Sequence, residues 1–138
     1  MVVVRTLFLV AFCLSLTGAI VMAQDGTVNV REGSWGGTGV EFVVKKDAVA
    51  IEYDCAVGEI RGRLRTDRRG NFTITGVHKR LYPGAIRVNL MPKAQPARYQ
   101  GKITGATLRY KVTLIETGEV IGEYTVERGK SAAIRRCR

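Results

Sequence analysis

The chain has little of the chemistry that most enzymes draw on. It holds one histidine, His78, one tryptophan, Trp35, three cysteines and three prolines in 138 residues. A general base needs a nucleophile within hydrogen-bond reach, and no serine here has a base near it in pattern. One histidine without clustered carboxylates does not make a coordination set, so no metal or other cofactor is expected. Glu41 and Glu52 fall opposite each other across a first hairpin but on its outer face, without the enclosing pocket that acid-base work requires. Acidic residues are the second scarcity, with 12 against 22 lysines and arginines and a net charge of +10. An apolar stripe of helical period is the third, which excludes a helix bundle.

What is present begins with an export leader. Arg5 supplies a positive start, Leu7 to Ile20 the apolar stretch, and Val21-Met22-Ala23 the small-x-small cleavage pattern. The alternative is a retained membrane anchor. The uncharged run from Thr6 to Gln24 is about the minimum spanning length and has no basic stop after it, so cleavage after residue 23 is expected. Cys13 follows the bulky Phe12, which does not suit lipoprotein processing. Residues 24–138 then form one domain, secreted or periplasmic, with a net charge lowered by one when Arg5 leaves. Cys55 and Cys137 remain in a compartment that permits disulfides and have only each other to pair with. Closing so long a loop contributes about 4 kcal/mol in the chain-entropy relation.

From Gly39 onward the apolar residues alternate with polar ones, the period of half-buried strands. The pattern predicts eight strands near 39–46, 48–55, 58–66, 70–79, 86–91, 97–104, 107–116 and 119–128, preceded by a glycine-rich lead-in over 24–38. The prolines Pro83, Pro92 and Pro96 confine the fifth of these to an edge or a loop. A two-residue turn at Gly105-Ala106 sets Ile103 against Leu108 and Gly101 against Tyr110. A three-residue loop at Glu116-Thr117-Gly118, with Gly118 left-handed, sets Leu114 against Val120, Tyr110 against Tyr124 and Lys111 against Glu123. An open meander of this length leaves two unprotected edges, and closure removes them. The expected fold is an all-β, up-and-down antiparallel barrel of about eight strands, with a two-sheet sandwich as the alternative.

Trp35 sits among Gly33, Gly36, Gly37 and Gly39, free to fold across one open end as a plug, its N–H bonded to a nearby carbonyl. Gly33-Ser34-Trp35 resembles the glycine-x-tryptophan motif that opens lipocalin and wider calycin barrels. That resemblance implies that the tryptophan closes the floor and packs against an arginine near the last strand, a place that Arg128 can take. The chain lacks a helix after the last strand and shows no second motif of that family. A broader resemblance is to small exported bacterial β-barrel proteins that combine a tryptophan-glycine-glycine start, an aspartate-cysteine-alanine-x-glycine segment and a tyrosine-x-glycine strand. Here these are Trp35-Gly36-Gly37, Asp54-Cys55-Ala56-Val57-Gly58 and Tyr99-Gln100-Gly101. It implies the fold and export and assigns no activity.

Two regions remain as candidate sites. Tyr53, Tyr99, Tyr110 and Tyr124 fall on the inward phase, interleaved with Gly62, Gly76, Gly101 and Gly122. With Trp35 they either fill the barrel or line an internal pocket for a small apolar ligand. His78, also inward, reads as a rim histidine bonded to backbone. Outside, Arg61, Arg63 and Arg65 alternate on one strand, with side chains about 7 Å apart on one face, and Arg68 and Arg69 extend the row. Arg98, Lys102, Arg109 and Lys111 point outward elsewhere, and the pairing sets Lys102 against Arg109. Like charges opposed cost stability, which hints at an anionic partner. A solvated surface is the plainer account, with Glu52 and Asp54 neutralising part of the arginine row and Glu123 pairing with Lys111.

The outer face lacks aromatic residues to stack bases, so nucleic acid is not specifically indicated. Asn71-Phe72-Thr73 matches a glycosylation sequon, taken as chance. The reading is a monomeric, exported, non-enzymatic barrel that binds polyanions or anionic envelope components such as lipids, acidic polysaccharides or released DNA. Its candidate residues are Arg61, Arg63, Arg65, Arg98, Lys102 and Arg109. The alternatives are a calycin-like carrier of a small apolar ligand and an inhibitor of a secreted hydrolase. A basic target such as a lysozyme would be repelled during encounter.

Overall fold

The computed structural model describes residues 26–84 and 92–137. The expected leader and the candidate strand at 86–91 lie outside them. Within them the chain is all-β. Its strands are β1 (Val28–Asn29), β2 (Gly33–Gly37), β3 (Val40–Val44), β4 (Ala48–Tyr53), β5 (Ala56–Arg61), β6 (Arg65–Thr66), β7 (Asn71–Arg80), β8 (Gln95–Thr104), β9 (Thr107–Leu114) and β10 (Val120–Arg128). Eight of them close into a barrel in the order β10-β2-β3-β4-β5-β7-β8-β9, with every neighbouring pair antiparallel. Closure rules out the sandwich.

The alternation drives this arrangement as expected. Val40, Phe42 and Val44, then Val49, Ile51 and Tyr53, then Leu108, Tyr110, Val112 and Leu114 are all buried inside. The Gly105-Ala106 hairpin has the expected register, Ile103 opposite Leu108 and Gly101 opposite Tyr110. Tyr110 opposite Tyr124 and Lys111 opposite Glu123 also hold. Leu114 does not face Val120: Val120 pairs with Thr113, because Leu114 N–H bonds the Glu119 carbonyl and the loop is one residue longer than read. An irregularity at Ile121 then restores the register at Gly122.

The eight barrel strands are not the eight read from the pattern. The segment Gly33–Gly37, assigned above to the lead-in, is itself a barrel strand, paired with β3 on one side and β10 on the other. Glycine-rich sequence disguises it, since only Trp35 carries an inward side chain there. Gly36 has a packing reason. The chain after β10 crosses outside it, and a Cβ at that position would collide with the Lys130 carbonyl and the Ala132 amide. The strand read as 58–66 is also divided. Gly62 takes a left-handed φ of 101° and ends β5. The chain then turns under the barrel so that β6 pairs with β1 in a separate ribbon.

The two ends of the barrel differ. At the lower end Val30 N–H bonds the Leu64 carbonyl at 3.0 Å, and Leu64 is fully buried beneath the core. Trp35 is 1% exposed. The Arg128 guanidinium lies 5.5 Å from its ring centroid and donates to the Glu32 carbonyl at 2.9 Å. The tryptophan thus meets the arginine expected, but from within a strand, and its Nε1 finds no carbonyl partner. At the upper end the tail returns to the mouth. Gly39 N–H bonds the Ala133 carbonyl, Ala133 N–H bonds the Gly37 carbonyl, and Arg135 N–H donates to Asp54 Oδ1 at 2.7 Å. Cys55 and Cys137 are joined there, with Cα atoms 5.2 Å apart.

Candidate functional site

The interior is filled by rings. Tyr53, Tyr99 and Tyr110 are at most 5% exposed. Tyr124, half-buried, stacks on Tyr110 at 5.3 Å between centroids and lies 4.7 Å from Tyr53. Tyr99 donates to the Val77 carbonyl at 2.7 Å and Tyr110 to the Tyr53 hydroxyl at 3.2 Å. Glycines make the room. A Cβ on Gly58 would meet the Tyr99 hydroxyl, and one on Gly101 would meet the Arg109 carbonyl and the Tyr110 and Phe72 side chains. Burial pushes all four phenols above their ordinary pKa. Of the five residues proposed to line a pocket, four form one cluster, and Trp35 stands apart with Arg128 below it.

A depression of about 440 Å³ remains at the mouth, lined by Tyr53, Asp54, His78, Arg80, Ile121 and Tyr124 among others. His78 is 2% exposed, 5.5 Å from the Tyr53 ring, and its Nδ1 has no hydrogen-bond partner. The backbone bond expected of a rim histidine is therefore missing at that nitrogen. Burial, then the charge of Arg80, hold its pKa below the ordinary value.

Outside, the arginine row does not survive as a row. Arg61 ends β5, Arg63 lies in the link after Gly62, and Arg65 belongs to the lower ribbon. Their neutralising acids are also different from those read. Arg61 meets Glu59 at 3.3 Å and Arg63 meets Asp47 at 4.0 Å. Glu52 faces Val57 across β4 and β5, away from them. Glu41 does face Glu52, as expected.

The other basic set holds together. Strands β7 to β10 present outward rows fixed by register. Asn71, Lys102, Arg109 and Thr125 form one, Thr73, Gln100, Lys111 and Glu123 the next, and Thr75, Arg98, Thr113 and Val120 a third nearer the mouth. Lys102 lies directly opposite Arg109. The first two rows line a surface groove of about 550 Å³. Among the described residues, Arg98, Lys102, Arg109 and Lys111 have no carboxylate within 4.0 Å. Glu123 neighbours Lys111 in register without forming an ion pair. Lys111 belongs to this groove although sequence reasoning left it out of the candidate set. The signal was its place beside Arg109 on the outward phase of a neighbouring row.

No family model, curated protein or solved structure matches the chain.

Proposed function

We propose that the protein is an exported, non-enzymatic binding module for anionic surfaces, and that the groove across β8, β9 and β10 is where the anion sits. One observation carries this reading: Lys102 and Arg109 are held face to face, beside Lys111, around a groove in which none has a partner acid within ion-pair distance. Directly opposed like charges cost about 0.2–1 kcal/mol. An anion laid between them reverses the sign of that contact. The Cys55–Cys137 bond supports export, because such bonds persist in oxidising compartments.

The test separates a site from net charge. Retention on a dextran sulfate matrix should fall steeply with salt, because neutralised sulfates release counterions. Lys102→Gln/Arg109→Gln/Lys111→Gln should elute far earlier than Arg61→Gln/Arg63→Gln/Arg65→Gln, which removes equal charge elsewhere. Equal losses in both would leave only net charge and defeat the proposal.

A second reading, a carrier of a small ligand, rests on the mouth depression and the unpartnered Nδ1 of His78. Native mass spectrometry of protein from its own host tests it. A bound small molecule lost on His78→Ala favours it, and an empty protein removes it.

A further inference from the structure

The outer face of β7 to β10 changes character toward the mouth. Above the row containing Arg98 come Val77 and Pro96, paired in register, and Ile115, whose N–H bonds the Pro96 carbonyl at 3.0 Å. Val120 lies in the Arg98 row itself, beside Thr113. Val77 is 37%, Ile115 43% and Val120 54% exposed. Leu81 and Tyr82, 37% and 64% exposed, stand past β7 at the mouth depression, where Leu81 N–H bonds the Cys55 carbonyl. Six large apolar side chains are exposed among the described residues, and five of them stand at this end, with Val28 alone at the other. Scattered exposed apolar residues need no explanation, but a row of Val77, Pro96 and Ile115 with Val120 one row below, beside a basic groove, does.

The order of chemistries along the strands is specific. Rows two residues apart are about 7 Å apart. Passing down from the row of Val77, Pro96 and Ile115, Arg98 comes next, then Lys111, then Lys102 with Arg109, while Lys79 stands above Val77 and Glu116 and Glu119 lie in the loop between Ile115 and Val120. The acids on this side do not cancel them. Glu119 is engaged by Arg80 at 2.8 Å and Glu127 by Lys130 at 3.5 Å. Glu116 and Glu123 are left against Lys79, Lys93, Arg98, Lys102, Arg109 and Lys111.

We infer that the anionic partner is a lipid bilayer and that the barrel docks mouth-first, with Val77, Pro96, Ile115 and Val120 in the headgroup boundary. The inference rests on the anion-binding reading above and names its partner. A bilayer presents an apolar layer beneath an anionic one, which is the order of this face. Interfacial elements of this kind bury apolar side chains about 5–10 Å deep and add electrostatic attraction to anionic lipid. The arginine and lysine stems can reach up to the phosphate level from rows just behind the rim. A soluble polyanion offers nothing to the apolar rim.

The test uses the secreted protein with two kinds of vesicle, phosphatidylglycerol mixed with phosphatidylcholine and phosphatidylcholine alone, and with dextran sulfate. Wild type should bind the anionic vesicles and not the neutral ones. Ile115→Ser/Val120→Ser keeps every charge. It should bind anionic vesicles about tenfold more weakly or worse while its retention on dextran sulfate is unchanged. Loss of one groove cation should weaken vesicle binding about fivefold. Ile115→Trp reports position without removing the rim: on anionic vesicles the introduced indole should shift to the blue and be quenched by brominated acyl chains.

A rim variant that binds anionic vesicles as wild type does, or an introduced indole untouched by brominated lipid, overturns the inference. Binding to dextran sulfate without binding to vesicles also overturns it and leaves the polyanion reading standing. Failure to bind either removes that reading first.

Discussion

Removing the disulfide isolates a single physical contribution, because the tail has other reasons to stay where it is. The bond joins residues separated by 82 positions. For a loop of that length the chain-entropy relation gives about 4.5 kcal/mol at 25 °C. In a domain of this size each kcal/mol corresponds to about 4 °C in Tm, so Cys55→Ser/Cys137→Ser should melt about 15–20 °C below wild type. The tail has contacts besides the bond: Gly39 N–H donates to the Ala133 carbonyl, Ala133 N–H to the Gly37 carbonyl, and Arg135 N–H to Asp54 Oδ1. The cost therefore falls on the unfolded chain, which regains the freedom of a long loop. Melting followed by far-ultraviolet circular dichroism and by Trp35 emission should give one coincident transition in both proteins. Reduced wild type should match the double variant. A shift below about 3 °C, less than one kcal/mol by the same scaling, would refute the reasoning, as would two alkylatable thiols in the native protein.

Trp35→Ala should cost about 3–5 kcal/mol, as expected for a fully buried large aromatic, whereas Arg128→Ala should cost about 0.5–1 kcal/mol, the worth of an exposed cation over a ring; equal costs would mean that the arginine, not the indole, closes the floor. The four barrel tyrosines make stability fall in alkali. Each holds its proton more tightly folded than unfolded, so the contribution is complete below pH 10.0, the ordinary phenol value, and is lost as pH rises beyond it. Phenolate absorbance from these rings should appear only together with loss of the barrel's circular dichroism. Gradual ionisation near pH 10 with the fold intact would show that the interior is wet.

The barrel was legible because its strands obey one rule. Wherever apolar residues alternate on a two-residue period, as from Val40 to Tyr53 and from Leu108 to Leu114, the inward set matches the buried set. The rule fails where the side chain is missing. Gly33–Gly37 has one inward residue and four that give no period, so its pairing with β3 and β10 could only be inferred from the need to close the barrel. It fails again at Gly62. A glycine on the expected inward phase looks like part of a strand, but its positive φ turns the chain out of the sheet and carries Leu64 beneath the core. The reading of Arg61, Arg63 and Arg65 as one row failed with it.

The candidate site was legible to the same depth. Register alone placed Lys102 against Arg109, because the two-residue turn at Gly105-Ala106 leaves no freedom between them. The apolar rim is not legible in the alternation for a different reason: a two-residue period marks the inward positions and is unchanged by an apolar residue on the outward phase. On β7 the inward phase runs through Phe72, Ile74, Gly76 and His78, which leaves Val77 outward between Thr75 and Lys79. On the β9–β10 side, Ile115 and Val120 lie outward in the same way. None of the three helps to close the barrel, and each exposes surface that a soluble domain gains by making polar. Outward apolar residues elsewhere on the barrel, such as Val43 and Val57, are half-buried, whereas these three are more than a third exposed and stand at one end of one face, a departure the fold does not use. Those three positions lie in or next to the row of Arg98, the arginine that heads the basic rows, and the proposed docking on a surface both apolar and anionic accounts for the departure and the charge together.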